Sequence, residues 1–344
     1  MPRVLSVAPA EEKESIMTTL LYTHPACIDH NPGPMHPERP ERLKAVLAAL
    51  EDPAFASLER REAPAADPEQ VARVHPRSFV DQLLQSVPES GTVSLDPDTY
   101  MSPASGEAAL RAVGAVCAAI DAVMAGEARN AFCAIRPPGH HAEAAQAMGF
   151  CLFNQVAAGA AHARAVHGLN RVAVIDFDVH HGNGTQHMFE RDPGLFYGST
   201  HQWPFYPGTG AESETGAGNI CNAPLSAMAG SQEFREAMTG TVLPALRVFR
   251  PELLLISAGF DAHRDDPLAS LNLDEEDYAW VTEQLLQVAD ECCGGRVVSA
   301  LEGGYDLGAL ASCAAVHVRS LMACVEPGRG DRSAAALAGS PRGD

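Results

Sequence analysis

His140 and His141 stand side by side in the octet RPPGHHAE, residues 136–143. Neighbouring side chains point about 100° apart on a helix and to opposite faces on a strand. The two prolines and the glycine ahead of the pair stop either regular form and brace an irregular backbone, which can aim both imidazoles into one place. A surface turn with two solvated histidines is the alternative for the octet alone. A second group lies in IDFDVHHGNG, residues 175–184. On an extended segment Asp178 and His180 are two apart and share a face. Their carboxylate oxygen and imidazole nitrogen both suit a divalent metal. Asp176 lies one step further back, better placed to hold a neighbouring histidine or a monovalent cation. A third ligand must come from elsewhere, and Asp261 in AGFDAH is the best candidate. Two carboxylates and one histidine leave positions for water and substrate, as a catalytic site requires. The set is hard enough for Fe2+ to compete with Zn2+. A structural aspartate at a helix start beside a satisfied histidine is the alternative.

These groups must be positioned by the elements before them. Apolar runs at 19–22, 131–135, 171–178, 195–199, 253–257 and 296–301 are candidate strands. Helical stretches are expected at 41–50, 107–125, 153–167, 232–249, 275–291 and 308–323. Continuous apolar strands alternating with helices predict a mainly parallel sheet covered on both faces. Five of the strands run out into polar residues: Arg136 to His141, Asp176 to Asn183, Ser199 to His201, Gly259 to Asp261, and Glu302 to Tyr305. Open α/β sheets bind ligands outside the carboxyl ends of their strands, so five loops point to one rim.

The bulk composition narrows the classes. Of 344 residues, 46% are apolar and 20% charged, which fits a globular chain with a sizeable core. Acids outnumber bases 44 to 24, for a net charge of −20. That balance argues against nucleic-acid binding and is compatible with cationic substrates. The nine cysteines form no CxxC pair, so reduced thiols in a cytoplasmic protein are expected rather than disulfides or a cysteine-built zinc site. No apolar run reaches the ~18 residues of a membrane span, and the first residues do not read as a secretory signal. Residues 1–17 are expected to be a flexible segment, with Met17 an alternative start, 18–326 one catalytic domain, and 327–344 a flexible tail.

RPPGHHAE, MGFCLFN, DFDVHHGNG, FYPGTG, SAGFDAH and LEGGYD, in this order, resemble the histone deacetylase-like amidohydrolases of the arginase/deacetylase superfamily. The pattern is most similar to the bacterial, class II-type members and runs from about Tyr22 to Cys324. The resemblance implies an arginase-like, open three-layer α/β/α fold with a single mainly parallel sheet. It implies removal of acetyl or other short acyl groups from acyl-lysine-type amides by metal-activated water. It also implies one catalytic zinc held by Asp178, His180 and Asp261, and potassium at a site that includes Asp176 and Ser199. In these terms His141 takes the proton of the attacking water, while His140 is its neighbour, held by Asp176. Tyr305 donates to the oxyanion, and Gly303 and Gly304 let the backbone turn it towards the metal. Phe150 and Tyr206 wall the acyl-lysine tunnel, the Gly149 carbonyl receives the substrate amide, and Asp98 is the rim carboxylate. Asn183 stands where class I members carry an acid. An amide cannot offset a charge on His141, so that ring is expected to be neutral. Tyr206 is a phenylalanine in many relatives, and the added hydroxyl bears on acyl preference.

Three rivals are weighed. A binuclear arginase-like enzyme needs further acids where this chain has Gly182 and His263. Some acetylpolyamine hydrolases carry an acid where this chain has Leu268, although others select by a narrowed entrance. A non-catalytic acyl-lysine binder would not need the full set of ligands, base and phenol. The expected partners are therefore an acyl-lysine peptide or protein, or an acylated small amine. Neither nucleic acid nor membrane is expected, and a homo-oligomer is implied by related enzymes. His201 and His263 are candidates for lining the pocket. His181 is expected to point away, and His36, among others, to be structural or exposed.

Overall fold

Six strands bury every residue, or nearly every one, as only the interior of a sheet covered on both faces allows. They are β1 (Thr19–Thr23), β5 (Asn130–Cys133), β6 (Val172–Asp176), β7 (Leu195–Gln202), β9 (Leu253–Ala258) and β10 (Val297–Leu301). These are the six expected from apolar runs. The computed structural model describes residues 18–323; the expectations for residues 1–17 and 327–344, and for Cys324, lie outside the described residues.

Two further strands close the edges of the sheet and were not expected. One is β2 (Glu59–Glu62, sequence ERRE) and the other β8 (Ile220–Leu225). An edge strand needs neither an apolar run nor a full ladder. The four residues of β2 are all charged and mostly exposed, and β8 contains Pro224, which a central strand would not tolerate. A separate two-stranded hairpin, β3 (Val93–Ser94) and β4 (Tyr100–Met101), lies outside this sheet.

The large sheet has the order β2-β1-β5-β10-β9-β6-β7-β8 and every pairing in it is parallel. The neighbours of β5 show the two covering layers. Phe132 meets His317 of helix Leu307–Ala323, and helix Ser105–Met124 packs against the same strand. Helix Gln155–His167 packs beside Ser105–Met124, and helices Pro40–Ala49 and Glu275–Cys293 flank Leu307–Ala323. The fold is thus an arginase-like three-layer α/β/α arrangement around one parallel sheet. No helix among the described residues is long and apolar enough to cross a membrane.

The strand order is what gathers the site. β5, β10, β9 and β6 are adjacent, so the loops after them leave the same edge of the sheet side by side. Those loops carry His140 and His141, Tyr305, Asp261, and Asp178 with His180. A smaller apolar cluster, including Val71, Val80, Leu83, Met101 and Phe153, supports the β3–β4 hairpin. In its turn Asp96 Oδ1 accepts from the amides of Asp98 and Thr99, at 2.8 and 3.1 Å, which fixes the position of Asp98.

Candidate metal and active site

The strand expected to continue through Asp178 stops at Asp176. The reason is local. Asp176 Oδ1 accepts from the amide of Asp178 at 3.1 Å, and Asp178 Oδ1 accepts from the amide of His180 at 2.9 Å. Each aspartate thereby curls the chain two residues on, the usual competition between a short acid and a strand ladder. Asp178 and His180 still meet, through a turn rather than through a pleat.

His180 Nδ1 lies 3.1 Å from Asp178 Oδ1 and 3.2 Å from Asp261 Oδ2. Asp261 Oδ1 is satisfied by the amide of Val179 at 2.9 Å, but its Oδ2 is buried and takes part in no hydrogen bond. A buried carboxylate oxygen is costly when unpaired, and this one points at the other two candidate ligands. A side chain at position 303 would collide with Asp261 Oδ2 and Asp178 Oδ2, so glycine is required for the approach of that loop. The Gly303 amide itself donates to Asp178 Oδ2 at 2.8 Å. The ligand atoms of the three residues lie within 4.8 Å of one another. These observations fit a divalent cation held by Asp178, His180 and Asp261.

Among the described residues two other His-containing groups are close enough to hold a metal, and their tautomers argue against it. In Asp121, His162 and His167, Arg73 Nη1 donates to His162 Nδ1 at 2.9 Å, which puts the ring hydrogen on the Nε2 that faces Asp121. In His263, Glu275 and Cys313, the Asp265 amide donates to His263 Nδ1 at 3.1 Å with the same consequence. His180 meets no such donor at Nε2 among the described residues and is free to offer the Nδ1 lone pair.

The paired imidazoles are set differently. His140 Nδ1 lies 3.0 Å from Asp176 Oδ2, which also accepts from the Tyr197 hydroxyl at 3.0 Å. Burial opposes charge on His140, but Asp178 and Asp176 outweigh it and push the ring up to about 10. Burial is outweighed at His180 too, where Asp178 and Asp261 push it up to about 10; a cation would supply the positive charge there instead of a proton. His141 is held well below the ordinary histidine value, first by burial and then by His140 and His180. The ring is neutral as expected from an amide that carries no offsetting charge. The Asn183 hydrogen bond acts in the opposite direction, and desolvation is the main cause.

A narrow cavity of about 190 Å³ opens above these groups. His141, His180 and Tyr305 line it together with Gly149, Phe150, Tyr206, Leu268 and Asp98. Phe150 adopts a left-handed backbone (φ 68°), as does Gly149 before it (φ 56°). That geometry is held by the Gly149 amide donating to Asp98 Oδ1 at 3.2 Å and the Phe150 amide donating to Thr99 Oγ1 at 3.0 Å. Tyr206 stands edge-on to His141, with ring centroids 5.1 Å apart. Burial raises the Tyr305 phenol well above its ordinary value, so it remains a hydrogen donor. Ser199 lies off the cavity, opposite Asp176 across β6 and β7, with its Oγ 2.9 Å from His201 Nδ1.

His201 and His263, candidates for lining the pocket, do not do so. His201 is also bound at Nε2 by the Gly210 carbonyl, and His263 turns to Asp265 and Glu275. His181 is engaged at both nitrogens by Thr209 and Gln186. His36, expected to be structural or exposed, is structural: it packs behind Phe150, 4.7 Å from that ring, and lies 3.0 Å from the Asp98 carbonyl.

Several supporting residues were missed. Phe205, inside the FYPGTG motif, stacks on His180 at 5.5 Å. Glu302, inside LEGGYD, accepts from the amides of Gly139 and His140 at 2.6 and 3.2 Å and so ties the histidine loop to the Tyr305 loop. Asp266 Oδ2 accepts from the Tyr305 amide at 2.7 Å. Arg42, fully buried and paired with Glu38, donates to the Glu302 and Gly304 carbonyls and lies 4.8 Å over the Tyr305 ring. The motif strings could have flagged Phe205 and Glu302. Arg42 and Asp266 act on backbone groups far away in sequence and leave no local pattern.

Comparison with known proteins identifies the family. The histone deacetylase domain model matches residues 36–321. The chain is 40% identical over 292 residues to the histone deacetylase-like amidohydrolase of Pseudomonas aeruginosa, covering 83% of this chain and 77% of that protein. It is 36% identical over 338 residues to the human polyamine deacetylase HDAC10, covering 92% of this chain but only 48% of that protein. The crystal structure of the HDA15 HD domain superposes with a TM-score of 0.84 at 34% identity, covering 89% of this chain and 88% of that one. The chain belongs to the histone deacetylase domain family.

Proposed function

We propose that this protein is a zinc-dependent deacetylase that removes acetyl or other short acyl groups from acyl-lysine-type amides. The carrying observation is the cavity itself. Phe150, Phe205, Tyr206 and Leu268 line one cavity together with His141, His180 and Tyr305, and a carboxylate, Asp98, lines it too. An aliphatic lysine stem suits such walls, and a carboxylate at the rim suits the backbone amides of a peptide. When bound by Asp178, His180 and Asp261, a divalent cation would polarise the amide carbonyl and acidify a water.

The residues then divide the work. His141, neutral and unprotonated at Nε2, takes the proton of the attacking water and delivers it to the leaving amine. His140 is anchored behind it by Asp176. The Tyr305 hydroxyl donates to the developing oxyanion. The Gly149 carbonyl accepts from the substrate N–H, and the hydrophobic walls shield the reaction from bulk water.

Acetylpolyamine hydrolysis is the second reading, favoured by the likeness to a polyamine deacetylase. Leu268 lines the cavity and offers no counter-charge to a second ammonium. An acetyllysine peptide is therefore expected to give a kcat/KM at least about tenfold above that of acetylspermidine, a difference of ~1.4 kcal/mol. The reverse order in a direct comparison would hand the site to the polyamine reading.

A potassium ion beside Asp176 and Ser199 completes the proposal. Replacing sodium with potassium at equal ionic strength is expected to raise Tm by about 2–4 °C, the shift produced by about 1 kcal/mol. An unchanged melting curve would remove that ion from the account.

A further inference from the structure

Asn183 is a neutral amide where a carboxylate would fix the base most simply, yet a carboxylate is present one residue further out. Asn183 Nδ2 donates to Glu143 Oε1 at 2.5 Å, while Asn183 Oδ1 lies 2.8 Å from His141 Nδ1. A carboxylate only accepts, so the NH2 end of the amide must face Glu143. The carbonyl end then faces His141 and also only accepts, so the ring hydrogen sits on Nδ1. Nε2 is left with its lone pair. His141 is thus the base-competent tautomer because of an acid it does not touch.

We infer that Glu143 is a positioning residue for His141: its carboxylate fixes the orientation of the Asn183 amide and thereby which imidazole nitrogen carries the hydrogen. The inference rests on reading His141 as the base. The other partners of Asn183 Nδ2 are weaker, the His141 carbonyl at 3.3 Å and Met148 Sδ at 3.6 Å. An amide can turn end for end with almost no change of shape. Without Glu143, the NH2 group can face Nδ1 and drive the hydrogen to Nε2, where it blocks proton abstraction. Glu143 is held for this task. Its amide donates to the Gln146 carbonyl at 2.9 Å, and His187 Nδ1 lies 2.7 Å from the same Oε1. Acid and base come from one loop, two residues apart, and the amide opens helix Asn183–Phe189, just after Asp178 and His180.

Fixing the wrong tautomer in a serine-protease triad costs about 10⁴ in kcat. Here the His141 carbonyl still favours the productive amide orientation, so Glu143→Ala is expected to lower kcat by roughly 10–100-fold. KM should stay within about twofold and metal content should be unchanged. Kinetics on the zinc-loaded enzyme would compare Glu143→Ala, Glu143→Gln, Asn183→Ala, the Asn183→Ala/Glu143→Ala double variant and His141→Ala. Glu143→Gln keeps an accepting carbonyl and should recover most of the loss. In the Asn183→Ala background the Glu143→Ala change should cost nothing further, because no amide remains to orient. Nitrogen-15 spectra of labelled histidine should show His141 moving from the Nδ1–H towards the Nε2–H form in Glu143→Ala. An additive loss in the double variant would mean that Glu143 acts only through loop structure, and would overturn the inference. So would an unchanged kcat in Glu143→Ala while His141→Ala is inactive. Full activity in His141→Ala would instead overturn the reading of the base, and this inference with it.

Discussion

Tyr305→Phe is expected to lower kcat/KM by about 10²–10³, the usual cost of removing one oxyanion donor. The structure explains why so small a change is a clean test. The ring packs edge-on to Phe150 at 5.8 Å and under the Arg42 guanidinium, and phenylalanine keeps both contacts. The Asp266 carboxylate and the Arg42 donors hold the backbone on either side, independently of the hydroxyl. Melting temperature and zinc content should therefore match the parent chain while turnover of an acetyllysine peptide collapses. Unchanged turnover would take the phenol out of the mechanism.

Dialysis against a zinc chelator is expected to reduce hydrolysis to background, and one equivalent of zinc per chain to restore it. Three side chains converge here with a buried oxygen, Asp261 Oδ2, that accepts no hydrogen bond from the described residues. Removing the cation leaves Asp178 and Asp261 facing each other around a single imidazole. The chelated protein should also melt earlier, since a ligand at about 100 times its Kd contributes roughly 2.7 kcal/mol to stability. Metal analysis after gentle desalting checks the stoichiometry. Two tightly held ions per chain would revive the binuclear reading, against Gly182 and His263 at the positions where further acids are needed. Chelator-insensitive turnover would remove the metal from the chemistry.

The parts of the protein legible in its sequence are those in which the physics is local. A strand buried on both faces must be apolar throughout, so the six inner strands could be read one by one. The edges β2 and β8 escape that rule because each has a neighbour on one side only, and a charged or proline-bearing segment suffices. The same holds at the site. Asp178 and His180 are two residues apart, and their chemistry is visible without a fold, although the turn that joins them is not a pleat.

Only the tertiary structure decided the rest. Asp261 and Tyr305 reach the centre because β9 and β10 insert between β5 and β6, an order that no stretch of sequence encodes. The neutrality of His141 follows from burial among other elements, and its tautomer from an amide and an acid on two different elements. Arg42 clamps carbonyls about 260 positions away in the chain. Residue types and short spacings are written along the chain and report what chemistry is available. Desolvation, hydrogen-bond direction and strand order depend on which distant segments become neighbours, and these determine which of the available groups can perform it.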